Sequence, residues 1–189
     1  RSRCALRAMR GTSLRDEMNA ESLSEERMST GVSGLDLLLG GGLVTGGVYL
    51  VMGRPGVGKT TLGNQACFSH TAAGGRAVYV TLLAETHGRL LRNLQTMSFF
   101  RGEAIGTQIV YVGAYLTLRE RRLGGLLALL RRVVVDERPT LLVLDGLVTA
   151  HSLGEPEASI KEFVAELQVL SDMSRCTTIV LANMTSQQA

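Results

Sequence analysis

The 189 residues, 45% hydrophobic and 20% charged, suit one soluble globular domain with room for a core. A net charge of +3 is only mildly basic, and the absence of Trp with 4% aromatics leaves little on which bases could stack, which disfavours a single-strand nucleic-acid binder. Cys4, Cys67 and Cys176 form neither a disulfide frame nor a zinc spacing, His70, His87 and His151 show no metal-ligand spacing, and the longest apolar run, Leu123 to Val135, is too short and broken by Arg131-Arg132 to span a membrane. A cytoplasmic protein is expected.

The chain begins at Arg1 rather than Met, which reads as a fragment or a processed piece. Residues 1–28 differ from the rest: basic and Ser-containing up to Arg15, largely acidic and polar from Asp16 to Arg27. Transit peptides are poor in acidic residues, so the stretch reads as a disordered lead-in, with Met28 a candidate true start. A single domain is expected over 29–189. It opens with a short helix for which Ser33 and Asp36 form an S-x-x-D capping pair, ended by Gly40-Gly41-Gly42.

Gly47 to Met52 reads as a buried strand, and it runs into Gly53-Arg54-Pro55-Gly56-Val57-Gly58-Lys59-Thr60, a match to G-x-x-x-x-G-K-[ST]. Glycines let the backbone curl around a polyphosphate with N–H groups pointing inward. A helix over Thr60 to Thr71, stopped by Gly74-Gly75, adds its positive N-terminal end to the same anion. Lys59 then reaches the β- and γ-phosphates and the Thr60 hydroxyl ligates Mg²⁺. Gly53, Arg54, Pro55, Gly56, Val57, Gly58, Lys59, Thr60 and Thr61 are the candidate ATP-binding residues.

Thr30-Gly31, Gly34-Leu35-Asp36, Leu38-Leu39-Gly40-Gly41-Gly42 and then the P-loop resemble the opening of the RecA superfamily, and within it the KaiC-like ATPases most closely; the archaeal RadA recombinases share the pattern more loosely. The resemblance runs from about Met28 to the C-terminus. It implies a three-layer α/β RecA-like fold with a mostly parallel sheet, ATP and Mg²⁺ as ligands, and hexameric rings or filaments with nucleotide at subunit interfaces. It also implies further strands beyond Ala189, carrying the basic residues that reach a neighbour's nucleotide.

Arg76 to Leu83 reads as a second buried parallel strand, followed by Ala84-Glu85-Thr86. Functional groups in a doubly wound sheet sit beyond the C-terminal strand ends, so Glu85 is the candidate to orient an attacking water. KaiC-like proteins commonly carry two adjacent glutamates and Thr here; Ala84 replaces the first. Thr86 to Phe100 is an amphipathic helix with Leu90, Leu91, Leu94 and Met97 inward. Gln108 to Val112 is a strand, and Leu118 to Glu137 a helix ringed by arginines that read as ordinary surface charge.

Thr140 to Asp145 is an apolar strand ending in an acid, the Walker B pattern. A strand buried on both faces has no internal use for Asp, so Asp145 is the second candidate Mg²⁺ residue beside Thr60. After a loop over His151 to Pro156, Glu157 to Ser174 reads as a helix and Thr177 to Asn183 as a buried strand. In RecA-like proteins a polar residue at the end of this strand senses the γ-phosphate, which makes Asn183 a candidate; Met184 stands where recombinases usually have Gln. The expected function is Mg²⁺-dependent ATP binding with slow hydrolysis, Lys59 and Glu85 being the catalytic candidates. A DNA-dependent repair ATPase and a non-hydrolysing nucleotide switch are the competing readings.

Overall fold

The computed structural model describes residues 26–84, 87–147, 154 and 156–183. Among them, β3 (Val48–Gly53), β4 (Ala77–Thr81), β5 (Ile109–Gly113), β6 (Leu141–Asp145) and β7 (Thr177–Asn183) form one sheet in the order β3-β7-β6-β4-β5, every pairing parallel. Strands β4 and β6 are buried at every position, as the uninterrupted apolar runs predict for strands covered on both faces. The expected three-layer α/β architecture is observed.

One face of the sheet packs on α2 (Lys59–Ala72), through Ala66, Cys67 and Phe68 against Tyr79, Val143 and Leu181. The other packs on α4 (Tyr115–Glu137) and α5 (Glu157–Ser174), through Leu126, Leu130, Phe163 and Leu167 against Val80, Leu142 and Val180. The alternation along each strand sorts its residues between these two cores. Gly63 is what lets α2 lie close: a Cβ there would stand 2.9 Å from Leu181 Cδ1 and 3.0 Å from Val143 Cγ1.

Several boundaries differ from the sequence expectation. A two-residue antiparallel pair, β1 (Arg27–Met28) with β2 (Leu43–Val44), carries no periodicity long enough to be read. Helix α3 spans His87–Leu94, so Met97 leaves the apolar stripe and is 38% exposed. Helix α4 starts at Tyr115 and breaks helical geometry at Arg122 (φ 57°, ψ −164°), just before Gly124-Gly125, whose poor helix propensity weakens this turn. The strand expected to reach Leu83 ends at Thr81.

The expected capping pair of Ser33 and Asp36 is not formed. Helix α1 (Ser33–Leu38) has Val32 at its N-cap and no side-chain cap bond. Helical side chains lean toward the N-terminus, and Asp36 reaches back past Ser33. Its Oδ2 accepts from Ser29 Oγ at 2.6 Å, and its Oδ1 from Thr30 N at 2.8 Å and Thr30 Oγ1 at 2.6 Å. Desolvation pushes this carboxyl up, but the bonds from Ser29, Thr30 and Gly31 together outweigh it and hold Asp36 below its ordinary value.

Candidate functional site

The site grows from the end of β3. Gly53 is the last strand residue, and the chain turns through Arg54 to Gly58 before α2 begins at Lys59. The turn needs left-handed backbone at Gly56 (φ 81°) and Gly58 (φ 93°), which glycine adopts without a steric penalty. Lys59 folds back over the loop, and its Nζ donates to the carbonyls of Gly53 at 2.9 Å and Arg54 at 2.8 Å. The first-turn amides of α2 have no intrahelical acceptor, so the loop presents N–H groups and an ammonium to the same space.

That space is a cleft of about 340 Å³ lined by Gly56, Gly58, Lys59, Thr60, Thr61 and Pro55 from the loop and helix, and by Leu83, Asp145, Gly146, Leu181 and Asn183 from the ends of β4, β6 and β7. The parallel sheet aligns these ends: Asp145 is paired with Thr81 on one side and Leu181 on the other. Asn183 is paired with Gly53, which sets it at the root of the loop. Of the sequence candidates, Gly53, Arg54 and Val57 form the loop without lining the cleft, and Val57 is 61% exposed. Glu85 lies outside the described residues, as does Met184.

Thr60 and Asp145 meet directly: Thr60 Oγ1 donates to Asp145 Oδ2 at 2.9 Å. The hydroxyl gives its one proton to the carboxylate and keeps its lone pairs for another partner. Two hard oxygen donors side by side at the cleft suit Mg²⁺, which favours a carboxylate and retains several waters. Among the described residues no group of three or more His, Cys, Asp or Glu gathers as a metal site. The loop's amides and Lys59 suit a polyphosphate in the same cleft. The residues present therefore fit a Mg²⁺–nucleotide complex.

Sequence reasoning missed the residues behind this pair. Tyr79, fully buried on β4, donates its hydroxyl to Asp145 Oδ2 at 2.7 Å. Burial, followed by the charge of Asp145 and the bond to it, holds the phenol well above its ordinary value, so it stays a donor. The Tyr79 ring lies 5.4 Å from that of Tyr111, centroid to centroid. Tyr111 OH donates to Asn64 Oδ1 at 2.7 Å, and Asn64 Nδ2 donates to the Thr60 carbonyl at 2.8 Å. In the sequence Tyr79 reads as an ordinary strand aromatic; only the position of β4 beside β6 gives it a carboxylate to hold.

Comparison with known proteins relates the chain to a family. The family model described as "ATPase: KaiC" matches residues 28–189. The chain is similar to "DNA repair protein RadA" of Aquifex aeolicus (strain VF5), 35% identical over 143 residues, covering 70% of this chain and 26% of that protein. It is also similar to "DNA repair and recombination protein RadB" of Pyrococcus horikoshii, 31% identical over 153 residues, covering 78% of this chain and 61% of the relative. The RadB of Thermococcus kodakarensis is 32% identical over 155 residues, with 78% and 64% covered. The chain thus spans about a quarter of the RadA relative and about three fifths of the RadB relatives.

Proposed function

The chain belongs to the KaiC ATPase family, and from that premise we propose that its P-loop cleft binds ATP with Mg²⁺ and hydrolyses it slowly. The observation that carries the reading is the contact of Thr60 with Asp145 at the floor of a cleft that also holds Lys59. In this reading Lys59 leaves the carbonyls of Gly53 and Arg54 for the phosphates, and the amides from Gly56 to Thr61 cradle them. The Thr60 hydroxyl and the Asp145 carboxylate hold Mg²⁺, which when bound neutralises charge on the phosphate oxygens. Asn183, at the end of β7 and lining the cleft, senses the terminal phosphate in this reading. Glu85, two residues beyond the cleft-lining Leu83, orients and polarises the attacking water. Phosphoryl transfer asks mainly for positioning and charge stabilisation, which these groups supply without a covalent intermediate.

A cytoplasmic, self-associating protein completes the reading. The resemblance supports rings or filaments, the buried Cys67 and Cys176 are both free thiols, and no helix among the described residues is long and apolar enough to cross a membrane. The names of the RadA and RadB relatives favour a second reading, an ATPase working on DNA. Hydrolysis stimulated by single-stranded DNA and suppressed by salt would select it.

The test of the primary reading is titration with a fluorescent ATP analogue. The parent chain should bind, and Lys59→Ala should nearly abolish binding, since it removes the mobile cation of the cradle. Unchanged affinity in Lys59→Ala would sink the assignment.

A further inference from the structure

Asp145 is only 6% exposed, yet one of its oxygens carries two donors. Both Thr60 Oγ1 and Tyr79 OH point at Oδ2. No hydrogen bond to Oδ1 is formed among the described residues. A carboxylate at the end of a strand is free to swing about its last torsion, exchanging its two oxygens. Two donors fixed on one oxygen oppose that exchange and hold the carboxylate in one orientation at the cleft that Asp145 lines.

The second donor is itself anchored. Tyr79 is sealed in the core against Tyr111, Tyr111 is tied to the fully buried Asn64, and Asn64 returns to the backbone of Thr60. Asn64 lies one helical turn beyond Thr60, so the brace closes on the residue that meets Asp145 from the other side. The two oxygen ligands are thus joined twice, once directly and once through the side chains of β4, β5 and α2. A buried tyrosine hydroxyl needs some partner, and packing alone explains why it has one. Packing does not explain why the partner is the oxygen that Thr60 already holds.

We infer that Tyr79, backed by Tyr111 and Asn64, is a positioning residue for the metal site: it sets the orientation of the Asp145 carboxylate that receives Mg²⁺. The inference rests on the Mg²⁺ site proposed above. Groups that orient a metal's ligands govern metal affinity without touching the metal, so the effect belongs in the Mg²⁺ requirement and not in nucleotide binding as such.

The experiment is a Mg²⁺ titration of fluorescent-ATP binding by the parent, Tyr79→Phe, Asp145→Asn and the double variant, with circular dichroism to check folding. Tyr79→Phe keeps the ring and its stacking and removes only the donor. Its half-saturating Mg²⁺ concentration should rise about tenfold, while affinity for nucleotide in EDTA stays at the parent value. In the Asp145→Asn background the same substitution should add nothing, because Tyr79 acts through that carboxylate. Tyr79→para-aminophenylalanine, which keeps a weaker donor at the ring tip, should fall between Tyr79→Phe and the parent. It carries the test if Tyr79→Phe does not fold: a raised Mg²⁺ requirement supports the inference and a parental one overturns it.

A parental Mg²⁺ requirement in folded Tyr79→Phe, with Asp145→Asn shifted, overturns the inference and leaves the metal site standing. Equal loss with and without Mg²⁺, or the same shift in the Asp145→Asn background, also overturns it, because Tyr79 would then act through the fold at large. If Asp145→Asn itself shifts nothing, the metal-site reading fails and the inference falls with it.

Discussion

Thr60 Oγ1 and Asp145 Oδ2 lie 2.9 Å apart although 85 residues separate them in the chain. The contact joins the first turn of α2 to the end of β6. Asp145→Asn preserves the shape of the side chain and a hydrogen-bond acceptor but removes the charge. It should raise the Mg²⁺ concentration needed for ATP binding on the order of 10–100-fold, the scale seen when a metal site loses a partner. Binding of metal-free nucleotide should move far less. Titrations that shift equally with and without Mg²⁺ would remove Asp145 from the metal site.

Glu85 follows Ala84 directly beyond the residues that line the cleft. Glu85→Gln keeps the hydrogen-bonding shape, so ATP affinity should hold while single-turnover hydrolysis falls about 10²-fold, the usual contribution of a general base. Parental turnover with intact binding would take the catalytic role from Glu85 and favour the nucleotide-switch reading.

Gly63 has no room for a branched side chain. Its hypothetical Cβ already stands 2.9 Å from Leu181 Cδ1 and 3.0 Å from Val143 Cγ1, both in fully buried residues. Gly63→Val gains a few tenths of a kcal/mol in helix propensity, and overpacking outweighs this at about 1–3 kcal/mol. The urea midpoint should fall with an unchanged slope. An unmoved midpoint would mean that α2 lifts off the sheet freely, and nucleotide affinity should then drop.

His70 accepts or donates a short contact with Thr140 Oγ1, 2.6 Å, and burial holds its imidazole below the ordinary value of 6.5. The unfolded chain therefore binds a proton near pH 6.5 that the folded chain refuses until lower pH. The stability tied to a neutral His70 is complete above that value and is lost as the pH falls through the folded one. Urea midpoints measured at falling pH should decline in this window for the parent and decline less for His70→Gln. Parallel declines would assign the acid sensitivity to other groups.

The local chemistry was legible in the residues themselves. The loop from Gly53 to Thr60 is fixed by interactions within one turn: left-handed glycines, then a helix that starts at Lys59, one residue before the expected Thr60. Helix α5 and strand β7 fall on their expected bounds, because long periodic or continuously apolar runs leave one way to bury the chain. Short-range side-chain choices were not legible. Asp36 had Ser29, Thr30 and Ser33 within reach, and only the folded backbone decided for the first two.

What the sequence determined by itself was the kind of group at each strand end: a phosphate loop, an acid, an amide. What the tertiary structure decided was which of them meet. Alternation along β4 tells which side of the sheet Tyr79 faces, but not that β6 is its neighbour or that Thr81 pairs with Asp145. That register depends on pairings between strands 64 residues apart, from Thr81 to Asp145, which no local pattern encodes. The brace from Tyr79 to Asp145 exists because two parallel strands lie side by side in that order, and the free energy that selects the order is the burial of both faces of the whole sheet.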